Sequence, residues 1–407
     1  MKNMLWDKFS NTEELLEQFF LERNSSKSTM DSYRRSVNIY EKIVGKTLLD
    51  ILLEAEQEEA KRVPWRDSEQ RKNLIKFRNV LLNNYKLSTA KLYLSSIQTI
   101  YHHFELEIGK LPYVSTKNVR TAEPIYYDDL PNREIIKEII NISSPLLKAI
   151  ILFISSSGCS RIEAINLTVK SYLDATSEYH HKKDIMEAIE EMDKKFAEEI
   201  TIVPMFRLKR QKTNVEFFTF CSPEAVVAIN SYLKSREKLS LDEPLFKISG
   251  RYFSKLFADA NDQLQLGERG EYRRFRPHML RKYHASQLWN AGMSMDKIDL
   301  LQGRKKSNVH QSYFKESPLN LKEEYIKCLP YIVIDDVERF KTQLEQEQEK
   351  TQELTVKIDR YEEFISDIDS RLRRIEEIDN FTENDFNELL DWMIIFIYKL
   401  NYNNKMS

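Results

Sequence analysis

Pro277-His278-Met279-Leu280-Arg281-Lys282-Tyr283-His284-Ala285-Ser286-Gln287-Leu288-Trp289-Asn290-Ala291-Gly292 opens on a proline and closes on Ala-Gly, with apolar residues at helical spacing between them. Proline suits the first turn of a helix and glycine the position just past its end, so a helix over Pro277–Ala291 is expected. His278 and Arg281 are three apart and therefore share a face of that helix. A shorter helix, Ser294–Leu301, runs into Leu300-Leu301-Gln302-Gly303-Arg304, and Tyr313 stands nine residues beyond Arg304.

The same 3.6-residue period extends in both directions from this stretch. Before it lie Pro223–Arg236, Gly250–Asn261, Asn132–Ser143, Pro145–Ser155, a continuous run over Arg161–Leu173 and a charged amphipathic segment at Ile185–Glu199; after it comes Asn308–Phe314. One pair of runs breaks the pattern. Ile200–Leu208 and Val215–Phe220 are rich in Val, Ile, Phe and Thr and flank Lys209-Arg210-Gln211-Lys212-Thr213-Asn214, which predicts a β-hairpin with a basic tip. Further upstream, Thr12–Leu21, Thr29–Ile43, Asn73–Leu82 and Thr89–Phe104 predict a four-helix bundle, with start signals at Ser25-Ser26-Lys27-Ser28-Thr29 and Leu87-Ser88-Thr89. Gly109–Pro131, with three prolines, reads as an extended linker.

The fold class is thus mainly α. A helical-bundle domain at 1–112 and a linker at 113–131 precede a mostly helical α+β domain at 132–331 that carries a small β-hairpin. From Val337, apolar residues recur at steps of three and four through Leu344, Leu354, Ile358, Tyr361, Ile365, Ile368, Leu372 and Ile375, with Glu347 and Thr351 as polar exceptions. That spacing predicts a coiled-coil segment at 335–378, with dimerisation left open. A C-terminal helix at 379–407 contains Trp392-Met393-Ile394-Ile395-Phe396-Ile397, a docking face too short to span a bilayer.

Composition narrows the class further. Cys159, Cys221 and Cys328 form no Cys-x-x-Cys pair, so neither a zinc cluster nor a disulfide framework is expected. His180, His181, His284 and His310 have no metal-ligand spacing. No metal or cofactor is therefore expected. No apolar run has the length of a signal peptide or membrane span, which predicts a cytoplasmic protein. The net charge of −2 conceals an asymmetry: residues from Asp335 onward sum to −9, leaving +7 on everything before. A basic body with an acidic tail is compatible with nucleic acid.

Taken singly, His278 and Arg281 make an ordinary surface pair, and Tyr313 is one of twenty tyrosines. Their joint spacing, with Ala291-Gly292 and Gly303 between them, resembles the tyrosine recombinase (phage integrase) signature. That signature runs His-x-x-Arg, a helix ending at Ala-Gly, a Leu-rich helix ending in Gly-His or Gly-Trp, and a tyrosine nine residues on. The chemistry agrees with the residue types. Attack on a phosphodiester needs a nucleophile, cationic donors for the non-bridging oxygens and an acid for the departing oxygen. Tyr, Arg, His and Lys supply these roles without a metal.

The resemblance implies catalytic roles for Tyr313, Arg281, His278, Arg161, Lys212 and Arg304. Two positions depart from the pattern. In Ser157-Gly158-Cys159-Ser160-Arg161-Ile162-Glu163, Arg161 falls one residue after the family's usual place, which Ser160 occupies. Arg304 stands where His or Trp is usual. Lys212 in the hairpin tip best matches the family's acid, with Lys209 as competitor. Lys209, Arg210, Lys305, Lys306, Arg273 and Arg274 are candidate contacts to the DNA backbone. The implied protein is a cytoplasmic, prokaryotic, nucleoid-associated site-specific recombinase that binds double-stranded DNA as a homo-oligomer, a tetramer on DNA, with self-contact or partner contact through the coiled coil. Two other readings stay open: a type IB topoisomerase, and a weakened DNA-binding or coiled-coil scaffold.

Overall fold

The computed structural model describes residues 9–212, 214–304 and 317–376, together with Trp6, Asn387 and Leu390. These residues form two compact units, one comprising Met1–Tyr126 with Arg269–Tyr272, the other Tyr127–Glu268 with Arg273 onward.

The first unit is built from α1 (Thr12–Glu22), α2 (Lys27–Val44), α3 (Leu48–Ala60), α4 (Glu69–Asn84) and α5 (Leu87–His103). Five helices replace the expected four. In α3, Leu48, Ile51, Leu52 and Ala55 are buried at helical spacing, but the second half is Glu-rich and obscures the period. Thr47 caps its start by accepting from the Asp50 N–H. Ser26 does the same for α2. The expected cap of α5 at Ser88-Thr89 is not one, because the helix already begins at Leu87, whose N–H donates instead to the Arg120 carbonyl at 2.9 Å. Leu16, Phe19, Val37, Tyr40, Leu74, Phe77, Ile97 and Tyr101 fill the core between these helices.

The second unit surrounds α7 (Pro145–Ser157), which is buried nearly all round from Leu147 to Ser157, as a helix apolar on every side must be. Around it stand α6 (Arg133–Ile142), α8 (Arg161–Asn166), α9 (Val169–Ala175), α10 (Ile185–Ala197), α11 (Pro223–Lys234), α12 (Gly250–Gln263), α13 (Pro277–Asn290), α14 (Met295–Leu301) and α15 (Pro318–Ile332). The run expected over Arg161–Leu173 is two helices, since Thr168 opens a new one with its own capping box to Ser171. α15 is a helix the periodicity did not indicate, and it keeps Pro330 inside its last turn. The expected helix Asn308–Phe314 lies outside the described residues.

Strands β1 (Met205–Arg210) and β2 (Val215–Phe220) pair antiparallel with Met205 opposite Phe220 and Arg210 opposite Val215. The first strand starts at Met205 rather than Ile200 because Pro204 has no N–H to give a ladder. A second, two-residue pair joins β3 (Glu268–Arg269) to β4 (Tyr272–Arg273). Helix α16 (Asp336–Glu376) then runs for 41 residues through the expected coiled-coil segment. Among the described residues no helix is long and apolar enough to cross a membrane. The structure is mainly α, as its sequence predicts.

Candidate active site

The site assembles where α13 packs on α7. Pro277 fills the first turn of α13 and Met279, Leu280, Tyr283 and Leu288 bury its inner face, which carries Arg281 inward with them. Arg281 is almost wholly buried. Its Nη1 donates to the Gly158 carbonyl at 2.5 Å and its Nη2 to the Gln302 carbonyl at 2.6 Å. The Glu163 carboxylate stands 3.7 Å away, itself buried. Burial pulls the Arg281 guanidinium down to about 10, with Glu163 opposing that shift and Arg210 and Arg304 adding to it. It remains cationic at neutral pH.

Two glycines make this approach possible. Gly158 ends α7 with φ +64°, and a Cβ there would lie 2.5 Å from the His284 ring. Gly303 follows α14 with φ +59°, and a Cβ there would lie 2.6 Å from the Phe217 ring. Both positions take a conformation that side chains disfavour and a spacing that they forbid. Between them, the buried Gln302 amide donates to the Arg281 carbonyl and lies 3.0 Å from His284 Nδ1. Burial and the neighbouring guanidiniums push His284 down to about 3, so it is a neutral packing residue.

The strand parity of β1 decides what joins Arg281 from the hairpin. Phe206 and Leu208 face the core, and Arg210, two further on, shares their side. Its Nη1 donates at 2.7 Å to the same Gln302 carbonyl that Arg281 uses. Lys209 lies on the opposite face, that of Arg207, across the ladder from Glu216. Lys212 is exposed in the turn, which Asn214 closes with φ +57°. An open groove of about 620 Å³ runs beside this hairpin, lined by Glu163, Asn166, Ser171, Lys209, Gln211 and Asn214 among others.

His278 lies in the first turn of α13. Partial burial holds its imidazole below the ordinary histidine range, helped by Lys282, Arg276, Arg281 and Arg304. It is therefore neutral near pH 7. Arg304 acts on both Arg281 and His278 but is itself paired with Asp299 at 3.0 Å. Arg161 is not in this cluster: its Nη1 donates to Ser254 Oγ on α12 at 2.8 Å. Its neighbour Ser160 caps α8, and Glu163 completes the box by accepting from the Ser160 N–H. Arg273 forms a fork with Asp262, and Arg274 donates to the Asp128 carbonyl. Tyr313, Lys305 and Lys306 lie outside the described residues.

Three members of the cluster were not singled out as catalytic in the sequence. Glu163 was visible as the fourth residue of a Ser-x-x-Glu capping box, and Arg210 through the alternation Phe206, Leu208, Arg210. Gln302 has no such signal. Among the described residues no group of three or more His, Cys, Asp or Glu side chains is placed to hold a metal ion.

No family model and no curated protein matches the chain. Among solved structures, the chain is similar to a XerH site-specific recombinase bound to difH substrate, at 14% identity and a TM-score of 0.45, over 76% of this chain and 81% of that chain. A Tn1549 transposon integrase in complex with circular intermediate DNA is similar at 15% identity and a TM-score of 0.46, over 76% of this chain and 97% of that one. Similar too is a lambda integrase dimer bound to a COC′ core site, at 13% identity and a TM-score of 0.48, over 74% of this chain and 93% of that one.

Proposed function

We propose that this chain cuts and rejoins DNA strands by the chemistry its signature resembles, as a site-specific recombinase of the tyrosine class. The observation that carries the reading is the meeting of Arg281 and Arg210 on the Gln302 carbonyl, with Arg304 and His278 close to Arg281 and Glu163 as the buried carboxylate. Like charges brought together at a partly buried site are costly, and a phosphodiester would offset that cost. Guanidiniums also match the geometry of phosphate oxygens.

In this scheme the Tyr313 hydroxyl attacks phosphorus while neutral His278 takes its proton. The bond from phosphorus to the 5′ oxygen breaks, and Lys212 protonates that oxygen as it leaves. A 3′-phosphotyrosyl bond replaces the phosphodiester, so ligation to a second 5′-hydroxyl needs no ATP. Arg281 and Arg210 hold the charge on the non-bridging oxygens, and Arg304 adds to the field. Arg161 enters only on releasing Ser254. The exposed Lys209 is assigned to the DNA backbone, as are Lys305 and Lys306 from the sequence, whereas Arg273 and Arg274 have intramolecular partners to give up first.

The test is a nicked suicide duplex drawn from DNA flanking the gene. The expected outcome is a denaturant-resistant protein–DNA adduct with the native chain and none with Tyr313→Phe, whose DNA affinity stays within about twofold, since one hydroxyl is removed from a surface dominated by phosphate contacts. An adduct that persists in Tyr313→Phe would refute the assignment.

A further inference from the structure

Helix α16 carries an apolar seam and leaves it bare. Leu354, Ile358, Tyr361, Ile365 and Ile368 recur at steps of four and three, and the first four are 59, 54, 44 and 63% exposed. Leu344, ten residues before Leu354 and 61% exposed, lies on the same line beyond the polar Glu347 and Thr351. Near its start the helix is tied to the body by packing on α15 and by the Lys137–Asp336 ion pair. Helices in water are sustained mainly by burying an apolar face, and this one has such a face without a cover among the described residues.

We propose that the cover is the same seam of a second copy, in a parallel, in-register, two-stranded coiled coil. In heptad terms Leu344, Ile358 and Ile365 fall at a, and Leu354, Tyr361 and Ile368 at d. Branched Ile358 and Ile365 at a with Leu354 at d favour two parallel strands over higher assemblies, a preference to which Tyr361 and Ile368 at d do not add. The flanks agree. Lys357 falls at g and Glu362 at e, so a parallel register sets Lys357 against Glu362 of the second copy, twice by symmetry. Among the outward positions between 345 and 367, Glu353, Asp359, Arg360, Glu363 and Asp367 are charged and Gln352 and Ser366 are polar, with Val356 the one apolar residue of that set, so the seam is the main face to bury. One layer opposes this register, because Glu347 meets its own copy, yet Lys350 forms an ion pair with it at 2.8 Å within each chain. From Leu344 to Ile368 the interface covers about 36 Å of helix, more than three heptads.

The experiment measures the mass of the full chain by light scattering, without DNA. The native chain is expected at twice the 48.5 kDa of one copy, and the double variant Ile358→Asp/Ile365→Asp at 48.5 kDa with the thermal unfolding of its body unchanged. Thr351→Cys tests the register, since an a position meets itself only when parallel strands are aligned. Under mild oxidation it is expected to cross-link most of the dimer, against a low background because Cys159, Cys221 and Cys328 are buried. A monomeric native chain would overturn the proposal. So would a dimer that survives the double variant. A dimer in which Thr351→Cys fails to cross-link would overturn the parallel register.

Discussion

At Arg281 the guanidinium is fixed by the backbone around it. Nη1 and Nη2 bridge the Gly158 and Gln302 carbonyls, which fixes the plane of the fork, and in the proposed function the remaining N–H groups would take the phosphate oxygens. A lysine supplies one point charge and cannot hold both carbonyls. Arg281→Lys is therefore expected to slow adduct formation by about 10²–10³-fold, the range for losing one charge-stabilising donor, with DNA binding nearly intact. Arg210 and Arg161 can be told apart in the same single-turnover assay. Arg210→Ala should cost about 10²-fold, because Arg210 already stands on the carbonyl that Arg281 uses, whereas Arg161→Ala should cost less than about threefold. The reverse order would return Arg161 to the site. His278 and Arg281 were legible in the sequence because three residues on a helix is a geometric statement. Arg210 and Gln302 were not legible as neighbours of Arg281, since they meet it across 71 and 21 residues of chain through the packing of a strand and a turn.

Elements with a start signal and an apolar stripe, such as α2 and α6, or with a proline start and a sharply marked end, such as α7 and α13, could be read from the sequence to within a few residues. Those that failed lack one or the other. α3 hides its stripe among glutamates, α15 holds a proline, and β3 and β4 are two residues each, too short for any period. The turn after α14 shows how much a single element end can matter. Gly303 combines a left-handed backbone with the Phe217 ring lying where a Cβ would go, and β2, which supplies that ring, packs on α14. Gly303→Ala is thus expected to destabilise by about 2–4 kcal/mol, the backbone cost plus overpacking. Gly45→Ala, also left-handed at φ +88° but with open space around it, should cost only about 1 kcal/mol. Urea unfolding of the two variants checks the difference, and equal losses would mean that the Phe217 contact is relieved freely.

The molecule as a whole has separate apolar cores. The one around Tyr40, Phe77 and Tyr101 belongs to the first unit, and those around Phe153 and Tyr325 belong to the second, with no residue in common. In the first, the Phe77 ring meets Tyr40 edge-on at 5 Å or less between centroids, and the hydroxyls of Tyr40 and Tyr101 bond at 3.0 Å in the same interior. Truncating Phe77 to alanine removes a fully buried ring and leaves a cavity, at a cost of about 3–5 kcal/mol. Because a core is the natural unit of cooperative unfolding, that loss should fall on the first unit alone. Hydrogen exchange followed by peptide mass across a urea series is expected to show α1–α5 opening at lower denaturant in Phe77→Ala, while α7, α11 and α13 keep their native midpoint. A joint shift of both groups would mean that the two units unfold as one body. The separation bears on the proposed chemistry, since Arg281, Arg210, Glu163 and Gln302 all belong to the second unit, and their hydrogen bonds should then survive conditions that melt the first.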